Sequence, residues 1–466
     1  MIFPSYIFFL IFLPAVLVIW HSYRNRAARL IFLTVASYLF YGWWDYRFTA
    51  LLLFSSVVDY VAGNRIYAND AASTRRRWLL VSMVANLGVL AYFKYYDFFV
   101  TSAVSALTWL GVETSVTLLN VVLPVGISFY TFQSMSYTID IYRRTARPAN
   151  DFLHLAAYVA MFPQLVAGPI VRYSLLEKQL RSAPASRASP EQVAEGVWLF
   201  SLGIAKKVWV ADRVAPFANE LFDSGGAVDA VTAWIGVLAY SMQLYYDFSG
   251  YSDMARGLGK MLGFEFPVNF NSPYKSADIS EFWNRWHITL SNWLRDYLFI
   301  PLGGSRGGFR KTLRNLVMTM FLGGLWHGAG WTFILWGLFH GALLVLNALW
   351  KKVGRRMPAV AAISLTFVCV QLGWVLFRAP SLVRALEIYQ GLFGSSGIGS
   401  FQRYFDASFV APSVMLVAAT IISFAAPNSQ QLQMPKNVLV AGALAVFLLV
   451  TMTKFMEETP FLYFSF

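Results

Sequence analysis

Only one cysteine, Cys369, occurs in the 466 residues, so no internal disulfide and no cysteine zinc cluster can form. Charge is scarce as well: Asp, Glu, Lys and Arg make up 13% of the chain, against 57% hydrophobic and 17% aromatic residues. No segment is long and polar enough to make a separate soluble domain. There is no H-E-x-x-H or paired Cys/His spacing, so no metal site is read, and no G-x-S-x-G elbow. No internal repeat and no low-complexity linker appears. What remains is a series of apolar runs of about twenty residues, the length that crosses a hydrocarbon core. The composition predicts an all-α polytopic membrane protein, a single embedded domain over 1–466 with about 10–12 transmembrane helices plus re-entrant segments. The net charge of +13 sits in short loops between these runs, which the positive-inside rule explains; no basic face interleaved with stacking aromatics points to nucleic acid.

The loop charges set an orientation. Arg24, Arg26 and Arg29 follow the first run, and Arg65, Arg75, Arg76 and Arg77 follow the third, whereas 97–124 holds no Lys or Arg. The N-terminus is therefore expected outside, with spans near 2–20, 28–43, 48–63, 78–96 and 117–139. The first run lacks a basic leader and a cleavage site and reads as a retained span. Residues 152–171, broken by Pro163, Gly168 and Pro169, read as re-entrant. Further spans are expected near 193–211, 229–248, 359–377, 411–426 and 438–453.

The organising stretch is 316–349, which has no charged residue but holds two of the five histidines. As one helix it would run about 50 Å, well beyond a core of about 30 Å, so it must break. Gly323-Gly324 and Gly328-Ala329-Gly330 bracket Leu325-Trp326-His327 and are expected to unwind the backbone there. An ionisable residue at that depth is either a neutral histidine bonded inside the bundle or a general base whose burial favours the uncharged ring. His340, thirteen residues on, would lie about 20 Å away if the helix continued, too far for a shared metal. Residues 278–297 read as one amphipathic helix with Asp278 as N-cap and Glu281 three places on. Its stripe of Phe282, Trp283, Trp286, Leu290, Trp293, Leu294 and Tyr297 suits a membrane interface, with His287 at the stripe's edge beside Arg285 and Trp286. The segment from Gln243 to Met254 reads as a polar turn, with Asp247 and Asp253 as partners for nearby arginines, and Pro267, Asn269, Asn271 and Pro273 continue it as an ordered loop.

Six ordered runs, LPVGISFYTFQSMSYTIDIYR, FPQLVAGPIVRY, QLYYDFSGYSDMARGLGKMLGF, FWNRWHITLSNWLRDYLFIPLGG, GGLWHGAGWTFILWGLFHG and LGWVLFRA, resemble the membrane-bound O-acyltransferase (MBOAT) family over about 123–379. The branch they look most like is the inner-membrane subunit of bacterial exopolysaccharide O-acetylation, acting on alginate or cellulose. The resemblance implies a ring of spans around a central funnel, with His327 of the W-H-G motif catalytic and His287 of the R-W-H motif the second signature residue. Trp326, Gly324, Gly328, Trp286 and Arg285, which flank these histidines, are the residues expected to bind substrate. It further implies acetyl-CoA as a cytoplasmic donor and no bound cofactor. The expected partners are a periplasmic protein of the SGNH-hydrolase-like type, a polysaccharide acceptor and membrane lipids, and the expected location is the bacterial inner membrane. His327 would either deprotonate an acceptor hydroxyl or carry the acetyl group briefly. A D-alanyl or peptidoglycan O-acyltransferase of the same family, or a transporter or flippase with broken helices, are the alternatives.

Overall fold

The computed structural model describes residues 1–114, 116–182, 188–355, 357–455 and 461–462, and among these all regular structure is helical, with no strand. The helices, in chain order, are α1 (Leu13–Ser22), α2 (Arg26–Gly42), α3 (Phe48–Ala68), α4 (Ala72–Leu90), α5 (Tyr96–Trp109), α6 (Ile127–Tyr142), α7 (Phe152–Ala160), α8 (Phe162–Leu165), α9 (Tyr173–Ser182) and α10 (Pro190–Ile204). There follow α11 (Asp212–Asp223), α12 (Ala230–Met261), α13 (Ile279–Arg285), α14 (Ile288–Leu294), α15 (Phe309–His327), α16 (Trp331–Val353), α17 (Ala359–Arg378), α18 (Leu382–Leu392), α19 (Val410–Ala425) and α20 (Val438–Met452). Among the described residues three helical stretches, Ala72–Trp109, Trp331–Val353 and Ala359–Arg378, are long and apolar enough to cross a membrane. The first departs from expectation: helix continues past Asp97 to Trp109, where the charge pattern placed a loop, and the next helix starts only at Ile127.

Residue contacts divide the chain into two compact units, one of 1–198 with 255–267 and one of 199–254 with 268–466. In the first, α3, α4 and α6 pack around a buried polar knot. Asp59 is fully buried, and its Oδ1 accepts from Ser82 Oγ at 2.6 Å and Asn86 Nδ2 at 3.0 Å, so hydroxyl and amide donors offset part of its cost of desolvation. The 152–171 stretch is broken, as its prolines demand: α7 stops at Ala160, α8 is a single turn, and both are buried.

The second unit carries both signature histidines. Its α15–α16 hairpin explains the uncharged 316–349 stretch: the chain does break, but only at Gly328–Gly330, where Gly328 and Gly330 are fully extended. Gly323 and Gly324 remain inside α15 and do not unwind, contrary to expectation. Gly324 instead lets two backbones meet, because a Cβ there would sit 2.9 Å from the Cα of Gly337 on α16. Gly341 likewise faces Val317, with 3.1 Å between its would-be Cβ and that Cα. Small residues at such crossings bring helices together where lipid offers no hydrophobic drive. Asp247 and Asp253 have lysine partners: Lys207 reaches Asp247 at 2.8 Å and Asp212 at 2.9 Å, and Lys206 reaches Asp253 at 2.5 Å. As consecutive residues of a helical segment, Lys206 and Lys207 point to different faces, which lets each meet a different carboxylate.

Candidate active site

Residues 278–297 do not form one interfacial helix. Asp278 caps α13 as predicted, accepting from the backbone N–H of Ser280 at 2.9 Å and of Glu281 at 3.0 Å, and Glu281 reaches back to the N–H of Ala277 at 2.8 Å. The helix then ends at Arg285, and α14 begins at Ile288. Between them His287 adopts the left-handed conformation, φ 43° and ψ 54°, an uncommon state for a residue with a Cβ. Such a corner persists only where its surroundings over-determine it. Here the Pro267–Pro273 loop does so: the Asn271 N–H donates to the Arg285 carbonyl and the Ile288 N–H to the Asn269 carbonyl, each at 2.9 Å. The break turns the tryptophans inward, so Trp283, Trp286 and Trp293 are buried within the protein and do not form an exposed apolar face.

Asn269 fixes the chemistry of His287. Its Oδ1 accepts from the Thr289 N–H at 3.2 Å and the Thr289 hydroxyl at 2.9 Å, and it faces His287 Nδ1 at 3.0 Å. A backbone N–H can only donate, so the atom it meets must be the amide oxygen. Nδ1 must therefore carry the proton, and Nε2 of the neutral ring holds the lone pair. His287 lies outside the long apolar helices, and burial lowers its pKa to about 3, which keeps the ring uncharged near neutrality. Phe248 meets it edge-to-face at 4.7 Å. Sequence reasoning read Asn269 only as part of an ordered loop; the signal was two asparagines between two prolines, Pro267 and Pro273.

His327 is the last residue of α15 and is 4% exposed. Trp326, Trp336 and Phe377 pack on its ring with centroids at 4.9, 5.0 and 5.1 Å, all near perpendicular. Edge-to-face pairs of this kind add about 0.5–1.5 kcal/mol each and fix the ring's plane. From Trp336 the wall continues to Trp374 at 6.3 Å, and Trp374 meets Trp286, the neighbour of His287, at 4.9 Å. Three tryptophans thus connect the surroundings of the two signature histidines. Because α16 folds back on α15, His340 also joins this wall: its ring lies 4.9 Å from Trp336, the same indole that touches His327. The expected separation of about 20 Å assumed a continuous helix and is overturned by the hairpin.

The flanking residues are placed as follows. Trp326 and Trp286 belong to the aromatic wall, and Gly324 to the helix crossing. Gly328 accommodates the Phe333 ring, into which a Cβ would collide, and its N–H donates to the Gly324 carbonyl at 3.4 Å and is not a free donor for an oxyanion. Arg285 turns to Glu281 at 2.7 Å and to the Asn271 carbonyl at 3.3 Å.

Two buried imidazoles whose surroundings are linked by an aromatic wall could serve proton transfer at a reacting hydroxyl. Comparison with known proteins gives the family. Residues 85–378 match the model of the membrane-bound O-acyltransferase family. The chain belongs to the MBOAT family. It is 45% identical over 401 residues to a probable alginate O-acetylase, AlgI, of Azotobacter vinelandii, covering 84% of this chain and 78% of that protein. It is 37% identical to a peptidoglycan O-acetyltransferase of Helicobacter pylori (88% and 85% covered), and 29% identical to a teichoic acid D-alanyltransferase of Streptococcus thermophilus (54% and 68% covered). This MBOAT protein is therefore a membrane O-acyltransferase.

Proposed function

We propose that this MBOAT protein is the multi-pass inner-membrane subunit that O-acetylates an exopolysaccharide, with alginate the favoured polymer. The similarity to alginate O-acetylases over most of both chains carries this reading. The cytoplasmic donor is acetyl-CoA, and the acetyl group passes towards the periplasm, to the polymer or to an SGNH-hydrolase-like carrier. His327 accepts the proton of the acceptor hydroxyl. The hydroxyl oxygen then forms a bond to the thioester carbonyl carbon, the C–S bond breaks, and the proton passes to the thiolate. Positioned base catalysis of this kind supplies about 10²–10⁴ in rate. His287, oriented through Asn269, presents a neutral Nε2 as the second polar group of the enclosure. Cellulose fits the same chemistry.

The similarity to the Helicobacter pylori peptidoglycan O-acetyltransferase supports a second reading, with the acceptor in the cell wall. One experiment addresses both. Base-labile acetate is released separately from the exopolysaccharide and the peptidoglycan of cells carrying wild-type protein or His327→Ala. The expected result is wild-type acetate on the exopolysaccharide and at least about a hundredfold less in the variant, with the protein still inserted and abundant. Acetate on peptidoglycan alone would select the second reading, and undiminished acetate in the variant would remove His327 from the chemistry.

A further inference from the structure

A groove of about 550 Å³ lies between α16 and α17, with Ala277, Asp278 and Ile279 completing its lining. It has the volume of a small-molecule site, and it is open along one side: Leu346 is 60% exposed and Val353 65%. Both helices are long and apolar enough to cross a membrane, so the exposed Leu346, Leu349 and Leu365 of the lining stand where lipid tails are the solvent. A groove touches an acyl chain from two sides where a single helix face touches it from one, and dispersion contacts add up accordingly.

One end of the groove is charged. The uncharged run that begins at Leu316 ends in Trp350-Lys351-Lys352, an aromatic followed by cations, as where a span meets the headgroups. Arg355 follows, exposed, just past Gly354. Lys352 adds its charge from the side of α15, with Nζ 4.7 Å from the Phe309 ring. The one carboxylate in the lining, Asp278, is already engaged: it accepts from the N–H groups of Ser280 and Glu281, from Asn347 Nδ2 at 3.0 Å and from Lys351 Nζ at 2.9 Å. Glu281 is taken up by Arg285. Three cations against the single carboxylate of Asp278 leave this end net positive, and an ammonium has three donors, of which Asp278 needs one. From Lys351 back to Leu343 the groove follows α16 for about 12 Å, so a tail anchored at Lys351 would lie along it. An apolar channel with a basic end, on the side where spans carry their Lys and Arg, is complementary to a lipid with an anionic headgroup.

We infer that this groove binds one anionic phospholipid of the cytoplasmic leaflet, with its phosphate at Lys351 and Arg355 and one acyl chain between α16 and α17. A zwitterionic lipid makes the same apolar contacts but gains less from the cations. Because Lys351 also holds Asp278, the N-cap of α13, the lipid sits beside the helix that leads to His287. The site is independent of the acyl-transfer reading of His327.

Cys369, the single cysteine of the chain, lines the groove and reports its occupancy. The full-length protein is purified in detergent, and the rate at which N-ethylmaleimide alkylates Cys369 is followed as dioleoylphosphatidylglycerol or dioleoylphosphatidylcholine is added to the micelles. Phosphatidylglycerol is expected to slow the reaction at a mole fraction at least about tenfold lower than phosphatidylcholine needs, since each cation near a lipid surface is worth about fivefold in affinity. Joint Lys351→Ala, Lys352→Ala and Arg355→Ala substitution is expected to abolish that preference. Leu346→Gln, which sets an amide among the lining leucines, should raise the amount needed of both lipids. Every variant is compared at the wild-type elution volume on gel filtration. Equal protection of the wild-type thiol by the two lipids would overturn the inference, as would a preference that survives the joint substitution or protection that Leu346→Gln leaves untouched. Alkylation that slows with rising protein concentration and no added lipid would also overturn it, by giving the groove to a second copy of the chain.

Discussion

Two adjacent glycines of α15 make opposite predictions, and the difference can be worked from the hairpin. Alanine at Gly324 would place its Cβ 2.9 Å from Gly337 Cα and 3.0 Å from Gly337 N, both inside the 3.4 Å at which ordinary contact begins, and closer still to the Phe333 carbonyl oxygen. Every one of these neighbours is backbone, so no side chain can swing aside. The two helices must separate by about 1 Å at that level, an overpacking that costs about 1–3 kcal/mol. Alanine's better helix propensity returns at most about 1 kcal/mol. If His327, three residues along the same helix, is the base proposed above, the larger effect falls there: a displacement of about 1 Å in a reacting group lowers rates by about 10². At Gly323 the only close neighbour is Leu294 Cδ1, at 3.3 Å, the far end of a side chain that can rotate. Gly323→Ala should therefore keep wild-type transfer and unfold no earlier, while Gly324→Ala loses about a hundredfold in transfer and unfolds at lower temperature. Base-labile acetate on the polymer, normalised to the amount of inserted protein, together with the unfolding midpoint, reads both. Wild-type behaviour of Gly324→Ala would show that the close crossing does not set the position of His327.

Stability should fall on acidification because of His287. Its folded pKa, about 3, lies below the unfolded value of about 6.5, so its contribution is complete above pH 6.5 and is lost as the pH falls towards 3. Between pH 6.5 and 5 one such group removes up to about 2 kcal/mol, and His287→Gln should flatten that limb of the midpoint-against-pH curve; an unchanged limb would refute the assignment. Asn269→Ala deletes the acceptor for His287 Nδ1 and for both Thr289 donors, so transfer should drop at least about tenfold while Asn271→Ala, at the exposed end of the same loop, drops less. Equal losses in the two variants would refute the orienting role of Asn269.

Several features were legible in the sequence because they depend on local chemistry. The Asp278 cap, the break in 152–171 and the need for 316–349 to fold back all follow from residues within a turn of the feature they cause. The errors share a different origin. The stripe on 278–297 is correctly apolar, but its amphipathic period says only that one face is buried. It does not say whether lipid or protein buries it, and the left-handed corner at His287 is imposed by Asn269 and Asn271 from a separate loop. Gly323-Gly324 carries the same ambiguity, since glycine both weakens a helix and admits a second backbone. Which role applies depends on Gly337, thirteen residues away. His340 was set aside on a distance along a helix that does not continue, and only the turn at Gly328–Gly330 reveals that it shares an indole with His327.

That turn also bears on why the proposed base stands where it does. His327 closes α15, so the last carbonyl groups of the helix, with their partial negative charge, gather around its backbone. When the imidazole takes a proton in the proposed reaction, positive charge develops at a helix C-terminus, which favours it by about 0.3–2 kcal/mol, most where the site is partly desolvated. A continuous helix through 316–349 would pair those carbonyls with N–H groups one turn further on and remove the effect. The extended backbone at Gly328 and Gly330 thus does more than return the chain: it leaves His327 buried at a helix end, where the helix dipole would favour the positive charge that the proposed reaction places on it.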